Sequence, residues 1–316
     1  MSERVRLTRC LCLAGVFLLA AHALSFGQQA TLPKSSEEID VPALLRESKE
    51  RSDRNWELML RRYADYSLKR RRTLRETNAK GEVKEESQLY EIFIPTNCKE
   101  RIRCNAVLIL LEKDGKPVSP DKIEKARLEA GKRLEKNERE TENQNTQQAG
   151  GPSWMRFSVN FHHPGGDQRV MLDGQEILEK CEFSSPQREM IRGREAIALS
   201  FRPHFGAVFS GDTFYMNEVE GKIWIDTQDK VIIRLAAWPA GTKFDDESSE
   251  SLLKNAALAY DLVRTREGIW FFRLGRINAN KYSSLFYDEK VDFSVEQFDY
   301  VAFRVEVEDG QVQAPK

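Results

Sequence analysis

GKIWIDTQDKVIIRLAAW, residues Gly221–Trp238, reads as a strand, a tight polar turn at Thr227–Lys230 and a second strand. Its apolar residues do not keep to one side. Pairing Ile225 with Ile232 across the turn puts Trp224, Val231, Ile233 and Leu235 on one face, and Ile223, Ile225, Ile232, Ala236 and Trp238 on the other. An antiparallel sheet with one wet face alternates apolar and polar residues. This hairpin does not, so it must be covered twice.

The trait recurs downstream. In GIWFFRLGRI, Trp270 and Phe272 point one way while Ile269 and Phe271 point the other. VAFRVEV instead alternates, with Val301, Phe303, Val305 and Val307 against Ala302, Arg304 and Glu306. From Arg188 onward the strand-like stretches REAIALSFRP, DTFYMNEVEGKIWID, KVIIRLAAW, LAYDLVRT, GIWFFRLGRINA, KYSSLFYD and FDYVAFRVEV follow one another, with turns at TQDK, REG and DEK. Such spacing predicts an antiparallel meander.

Upstream, Asp40 is placed to cap a helix entered through Pro42. Val41, Leu44, Leu45, Ser48, Ser52, Trp56, Met59, Leu60 and Tyr63 then recur at helical spacing. YSLKRRRTLRET and ESQLYEIFIP flank turn chemistry at Asn78–Gly81 and read as a hairpin, with a third strand in RCNAVLILLEK. Residues 46–75 hold eleven Lys/Arg against five Asp/Glu, read as the solvated sides of a helix and an edge strand rather than a membrane-surface patch. In 120–140, thirteen of twenty-one residues are charged, which predicts an exposed helix with little to bury, followed by a polar linker. Helix and linker, 119–153, form an insertion between strands. After it come strand-like FSVNF, a turn at HHPGGD and a mixture of helix and strand in RVMLDGQEILEKCEF.

One good amphipathic helix and one poor one cannot cover both faces of so large a meander. Strong curvature resolves the shortage, because a rolled sheet shelters its own concave side. The predicted class is therefore α+β: a strongly curved antiparallel sheet, an open half-barrel, with an N-terminal amphipathic helix and a charged helical insertion. Its hollow leaves room for an apolar guest. The alternative is that these side chains pack core against core.

Three arginines in MSERVRLTR precede the apolar stretch CLCLAGVFLLAAHAL, the pattern of a secretory signal peptide over 1–27. A polar lead-in, 28–39, the domain, 40–308, and a tail, 309–316, would follow. Without residues 1–27 the chain carries 46 basic and 49 acidic residues, which argues against nucleic acid as a partner. The expected compartment is a bacterial periplasm. In an oxidising space Cys98 and Cys104 are spaced to close a local disulfide or to stay reduced as small hydrophobes, with Cys181 buried and unpaired.

GREAIALSFRP (Gly193–Pro203), together with the opening hairpin, resembles the LolA-like superfamily of periplasmic outer-membrane lipoprotein-sorting proteins. Gly221, Trp224, Ile225 and Asp226 stand in matching positions. A weaker likeness extends to the first helix and hairpin, to GIWFFRLGRI and to FDYVAFRV; the helix at 120–140 departs from the compact family pattern. The resemblance implies a half-barrel closed by helices and a hydrophobic cavity for acyl chains of a lipid or lipoprotein, with no cofactor and no catalytic group. Candidate lining residues are Trp224, Ile233 and Leu235 on one face or Ile225, Ile232 and Trp238 on the other, joined by Trp270, Phe271 and Phe272. Transient membrane contact would accompany such a carrier. An envelope assembly factor that docks another protein without lipid is the alternative function.

Enzymatic chemistry finds little support in the motifs. His162, His163 and His204 lack metal-ligand spacing, and no GxSxG elbow, phosphate loop or CxxC pair is present. Asp226 and Asp229 sit at a hairpin turn, where aspartates bond the local backbone.

Overall fold

The computed structural model describes residues 39–78, 80–93, 106–142, 156–163, 166–209, 219–278, 290–302, 306–308 and 311–313. The signal-peptide stretch, Cys98, Cys104 and KYSSLFYD lie outside the described residues, as do the side chains of His162 and His163. Helix α1 (Val41–Arg62) starts where its cap places it: Asp40 accepts a hydrogen bond from the Ala43 N–H at 3.0 Å. Leu44, Ser48, Ser52 and Met59 form its buried stripe. A 3-10 turn, Tyr63–Asp65, leads into the predicted hairpin of β1 (Tyr66–Thr77) and β2 (Val83–Phe93), then β3 (Val107–Lys113) and the short β4 (Lys116–Pro117). Helix α2 (Pro120–Glu142) rests on β3 through Ile123, Ala126 and the buried Ala130, as little contact as its charge content allows.

Among the described residues β5 (Arg156–His163) and β6 (Gly166–Asp173) pair only with each other, and α3 (Gly174–Lys180) follows. The meander then runs through β7 (Cys181–Ile191), β8 (Arg194–Pro203), β9 (Val219–Asp226), β10 (Ile232–Pro239), helix α4 (Ser249–Asn255), β11 (Leu258–Arg264), β12 (Trp270–Asn278) and β13 (Lys290–Ala302). Two short strands, β14 (Glu306–Glu308) and β15 (Gln311–Gln313), pair with each other. Eleven strands make one open antiparallel sheet in the order β4-β3-β2-β1-β13-β12-β11-β10-β9-β8-β7. The N-terminal hairpin joins the meander where β1 pairs with β13. With its helices this is the α+β half-barrel class expected.

The opening hairpin follows the sequence reading up to a point. Ile225 does face Ile232, but a bulge intervenes, so Arg234 pairs with Trp224 and Leu235 with Ile223. The face grouping drawn from simple alternation is thereby corrected: Trp224 shares its side with Arg234, and Leu235 with Ile223. One inserted residue exchanges the two sides of everything after it. Beside the bulge, the Ile232 N–H donates to Ser52 Oγ of α1 at 3.0 Å.

Both faces of the central strands are buried, and every residue from Ile232 to Trp238 is inaccessible or nearly so. Following the register, Ala198, Trp224, Arg234, Asp261, Leu274 and Glu296 trace one face, and Leu199, Ile223, Leu235, Tyr260, Gly275 and Val295 the other. On the second face Gly221 lets the Phe201 ring settle onto β9. A Cβ there would stand 2.4 Å from the Ala236 carbonyl oxygen and 2.6 Å from that ring.

The first face is the concave one. Arg192, at the β7–β8 turn, reaches the Asp261 carboxylate on β11 at 2.6 Å. The Arg194 guanidinium of β8 likewise lies 5.5 Å from the centre of the Trp270 ring of β12, although four flat strand spacings would hold those strands roughly 19 Å apart. The sheet must therefore roll toward the side that bears Trp224, Arg234 and Asp261. Helix α4, absent from the sequence reading, is capped by Ser248 and buries Leu252 and Leu253 near β10 and β11.

Candidate functional site

The hollow of the rolled sheet holds charge. Asp261, fully buried, accepts from Arg234 Nε at 2.8 Å, from Arg192 Nη1 at 2.6 Å and from Arg273 Nε; Arg192 also donates to the Leu262 carbonyl. Arg234 is itself fully buried. Its Nη2 lies 2.8 Å from Glu250 Oε1 on α4, an ion-pair distance without hydrogen-bond alignment, and its Nη1 has no partner among the described residues. Trp224, on the same side, donates Nε1–H to Glu189 at 2.8 Å.

Past Glu250 the concave side opens into a trough of about 360 Å3 between α4 and strands β12, β13, β1 and β2. Its walls carry Arg75, Lys254, Arg273 and Arg276 against Glu85, Glu250, Asp292 and Glu296. Arg276 and Asp292 neutralise each other through paired hydrogen bonds. An acyl chain would find little apolar surface here.

A second opening has different walls. Among the described residues β12 and β13 pair between Leu274–Glu296 and Asn278–Asp292. Toward α1 they part: β13 continues with β1 as far as Tyr66–Ala302, while β12 stays with β11 as far as Trp270–Arg264. Side chains serve the edge that β12 exposes in this wedge. The Asn55 amide of α1 donates to the Trp270 carbonyl and accepts from the Trp270 N–H, both at 3.0 Å, in place of a neighbouring strand. Tyr300 donates its hydroxyl to the Phe272 carbonyl at 2.5 Å.

Met59, Tyr66, Ile269 and Phe271 cluster at the foot of the wedge, with the Tyr63, Tyr66 and Tyr300 rings packed on Phe271 at 5.6, 4.8 and 4.9 Å. The open part is a cavity of about 700 Å3 walled by Tyr66, Val263, Gln297, Phe298, Tyr300 and Ala302, with Arg273 as a charged member of the wall. Val301 and the exposed Arg264, Arg266, Glu267 and Asp299 form its rim. Gln297 supplies a fixed polar point: its amide oxygen accepts from Arg70 at 2.9 Å and its nitrogen donates to the hydroxyls of Tyr63 and Tyr300 at 2.5 and 2.7 Å. Burial raises the pKa of both phenols, Tyr300 the more, so they stay protonated as donors.

Of the nine candidate lining residues, Trp224, Ile225, Ile232, Ile233, Leu235, Trp238, Trp270 and Phe271 are buried and Phe272 is half-buried. None lines the trough or the wedge cavity. Trp238 donates to Glu220 and packs edge-on against Phe244; Trp270 donates to Asp229 beneath the Arg194 guanidinium. Phe271 and Phe272 come nearest the wedge, through Tyr66 and Tyr300. Asp226 does bond the local backbone at its turn, accepting from the Gln228 and Asp229 N–H groups, and it also binds Arg194; the Asp229 carboxylate instead accepts from the side chains of Arg194, Arg264 and Trp270. His204 pairs with Glu182 at the surface, and Cys181 is a free, buried thiol whose pKa burial pushes up to about 12. Among the described residues no three His, Cys, Asp or Glu side chains are grouped to hold a metal ion, and no helix is long and apolar enough to cross a membrane.

The ion cluster had a signal in the sequence. Arg234 is the single charge in VIIRLAAW and Asp261 the single charge in LAYDLV, and a charge in a strand buried on both faces requires a partner. The wedge had none, because it arises from where two strands stop pairing.

No protein-family model and no curated protein matches the chain. Among solved structures it is similar to a DUF1329 family protein from Desulfovibrio piger, with 9% identity over 85% of this chain and 95% of that one and a TM-score of 0.32. A putative outer membrane lipoprotein-sorting protein domain from Vibrio parahaemolyticus gives 9% identity, 84% and 94% coverage and a TM-score of 0.31. For a LolA superfamily protein from Nitrosomonas europaea the values are 8%, 86%, 96% and 0.28. Likeness at these values fixes neither ligand nor partner.

Proposed function

We propose that the protein is an exported, non-enzymatic binding protein that takes an acyl chain of a lipid or lipoprotein into the wedge between β12 and β13. The single observation that carries this reading is the cavity of about 700 Å3, with aromatic and aliphatic residues lining it inside a charged rim and beside Arg273, open to solvent beside Val301, which is 58% exposed. Its size falls in the range of sites for drug-sized ligands, and a few convergent polar groups, here Gln297 and Tyr300, are what such sites use to orient a guest. Each buried CH2 contributes roughly 0.8 kcal/mol before the entropy of binding is met, so one long chain suffices for useful affinity. Phe271 and Phe272 form the layer behind the wall; the other seven candidate residues hold the sheet that frames it.

Native mass spectrometry of gently purified protein tests this, together with titration of a fluorescent fatty-acyl probe. Saturable probe binding that Val301→Asp weakens at least tenfold, with the fold unchanged, supports it. Absence of co-purified lipid together with absence of probe binding removes it.

A further inference from the structure

A second site lies on the concave face and shares one residue, Arg273, with the wall of the wedge. Three guanidinium groups, Arg192, Arg234 and Arg273, converge on one fully buried carboxylate, Asp261. Arginine is in excess over carboxylate here, with Arg234 fully buried and Arg192 and Arg273 about a third exposed. The Glu250 side chain offsets that excess only in part: it is 68% exposed, belongs to a helix of seven residues, and meets Arg234 Nη2 without hydrogen-bond alignment. Arg234 Nη1, buried and without a partner among the described residues, remains a donor aimed at nothing. Native proteins rarely leave a charged donor in this state without water or an ion to receive it.

We infer that the concave face carries a binding site for a small oxyanion, a phosphate or carboxylate group, centred on Arg234 and Arg273 and closed in this structure by Glu250, whose carboxylate stands in for the ligand. The trough that begins at Glu250 gives the route of entry, and Lys254 and Arg273 line it. Arg234 itself lies behind Glu250 and does not line the trough; when Glu250 turns outward into solvent, an anion entering along the trough takes its place beside the Arg234 fork, whose two-pronged geometry suits carboxylate and phosphate oxygens. Selectivity for size follows from the far wall. Glu296 stands two strands beyond Asp261 and Glu85 four, so an extended polyanion meets like charge while a single small group does not.

Thermal unfolding and calorimetric titration with sodium phosphate, against sodium chloride at equal ionic strength, test the site in the full chain. A parallel arm replaces free phosphate with phosphatidylglycerol vesicles, to separate a soluble anion from a lipid headgroup. Glu250→Gln, an exposed change, should lower the phosphate Kd about tenfold by removing the internal competitor, and Lys254→Gln should raise it several-fold. A response to vesicles alone, with the same two shifts, assigns the oxyanion to a headgroup. Identical behaviour in phosphate, chloride and vesicles, or a Glu250→Gln variant that binds no better than the parent, overturns the proposal. Neither result bears on acyl-probe binding in the wedge.

Discussion

Strands β9 to β11 and the parted ends of β12 and β13 are built from the same stock of aromatic and branched residues, yet one region is filled and the other is not. Around Arg234 the sheet rolls tightly enough for a turn residue to touch a strand three places away, and native side chains close the space. At the wedge, pairing stops at Leu274–Glu296 and the ladder is continued by Asn55 and Tyr300 instead of by a strand. Apolar content on both faces of a strand therefore does not by itself mark a cavity. A break in hydrogen-bond register does so more directly.

Asp261→Ala attacks the filled region at its centre. It strands three arginines around a lost carboxylate and should cost about 3–5 kcal/mol in urea-melt stability; a loss below 1 kcal/mol would mean that water reaches the cluster freely. Gly221→Val comes next, at about 3 kcal/mol, since the new side chain meets a backbone carbonyl as well as the Phe201 ring. Asn55→Ala probes the wedge instead. Removing the amide leaves the Trp270 N–H and carbonyl without their partner, for about 1–2 kcal/mol, and hydrogen exchange at Trp270 should quicken while that at Leu235 stays slow.

The smallest effect concerns pH. Burial pushes the Asp226 pKa up, but hydrogen bonds from Arg194 and from the Asp229 and Gln228 backbone outweigh it, and the net shift is downward. A carboxylate depressed on folding contributes stability that is complete above its unfolded pKa of about 3.9 and is lost as pH falls through the lower folded value. Asp226→Asn should therefore flatten the acid limb of the stability profile between about pH 4 and that lower value, and leave its slope near neutrality untouched.

Much of the architecture was legible because local rules and tertiary structure agree. The Asp40 cap, the hairpin at Asn78–Gly81, the charged helix over 120–140 and the meander all follow from residue pattern. The exchange of faces in the opening hairpin did not, since the bulge before Arg234 leaves no mark in an apolar run. Helix α4 was missed because SESLLKN is too short for a helical period to show. Its Leu252 and Leu253 cover part of β10 and β11, so apolar residues on both faces of those strands do not require a hollow. As to the candidate site, the lone charges Arg234 and Asp261 stood in plain view, while the wedge depends on the relative lengths of three strand pairings.

Bromine quenching discriminates the two regions most directly. In chains that keep a single tryptophan, with the others changed to Phe, a dibrominated fatty acid should quench Trp270, one residue from the ring that packs on Tyr66. It should leave Trp224, which is fully buried and lines neither opening, unaffected. Quenching of Trp224 as strong as that of Trp270 would place the guest in the rolled interior and contradict its closure by native side chains.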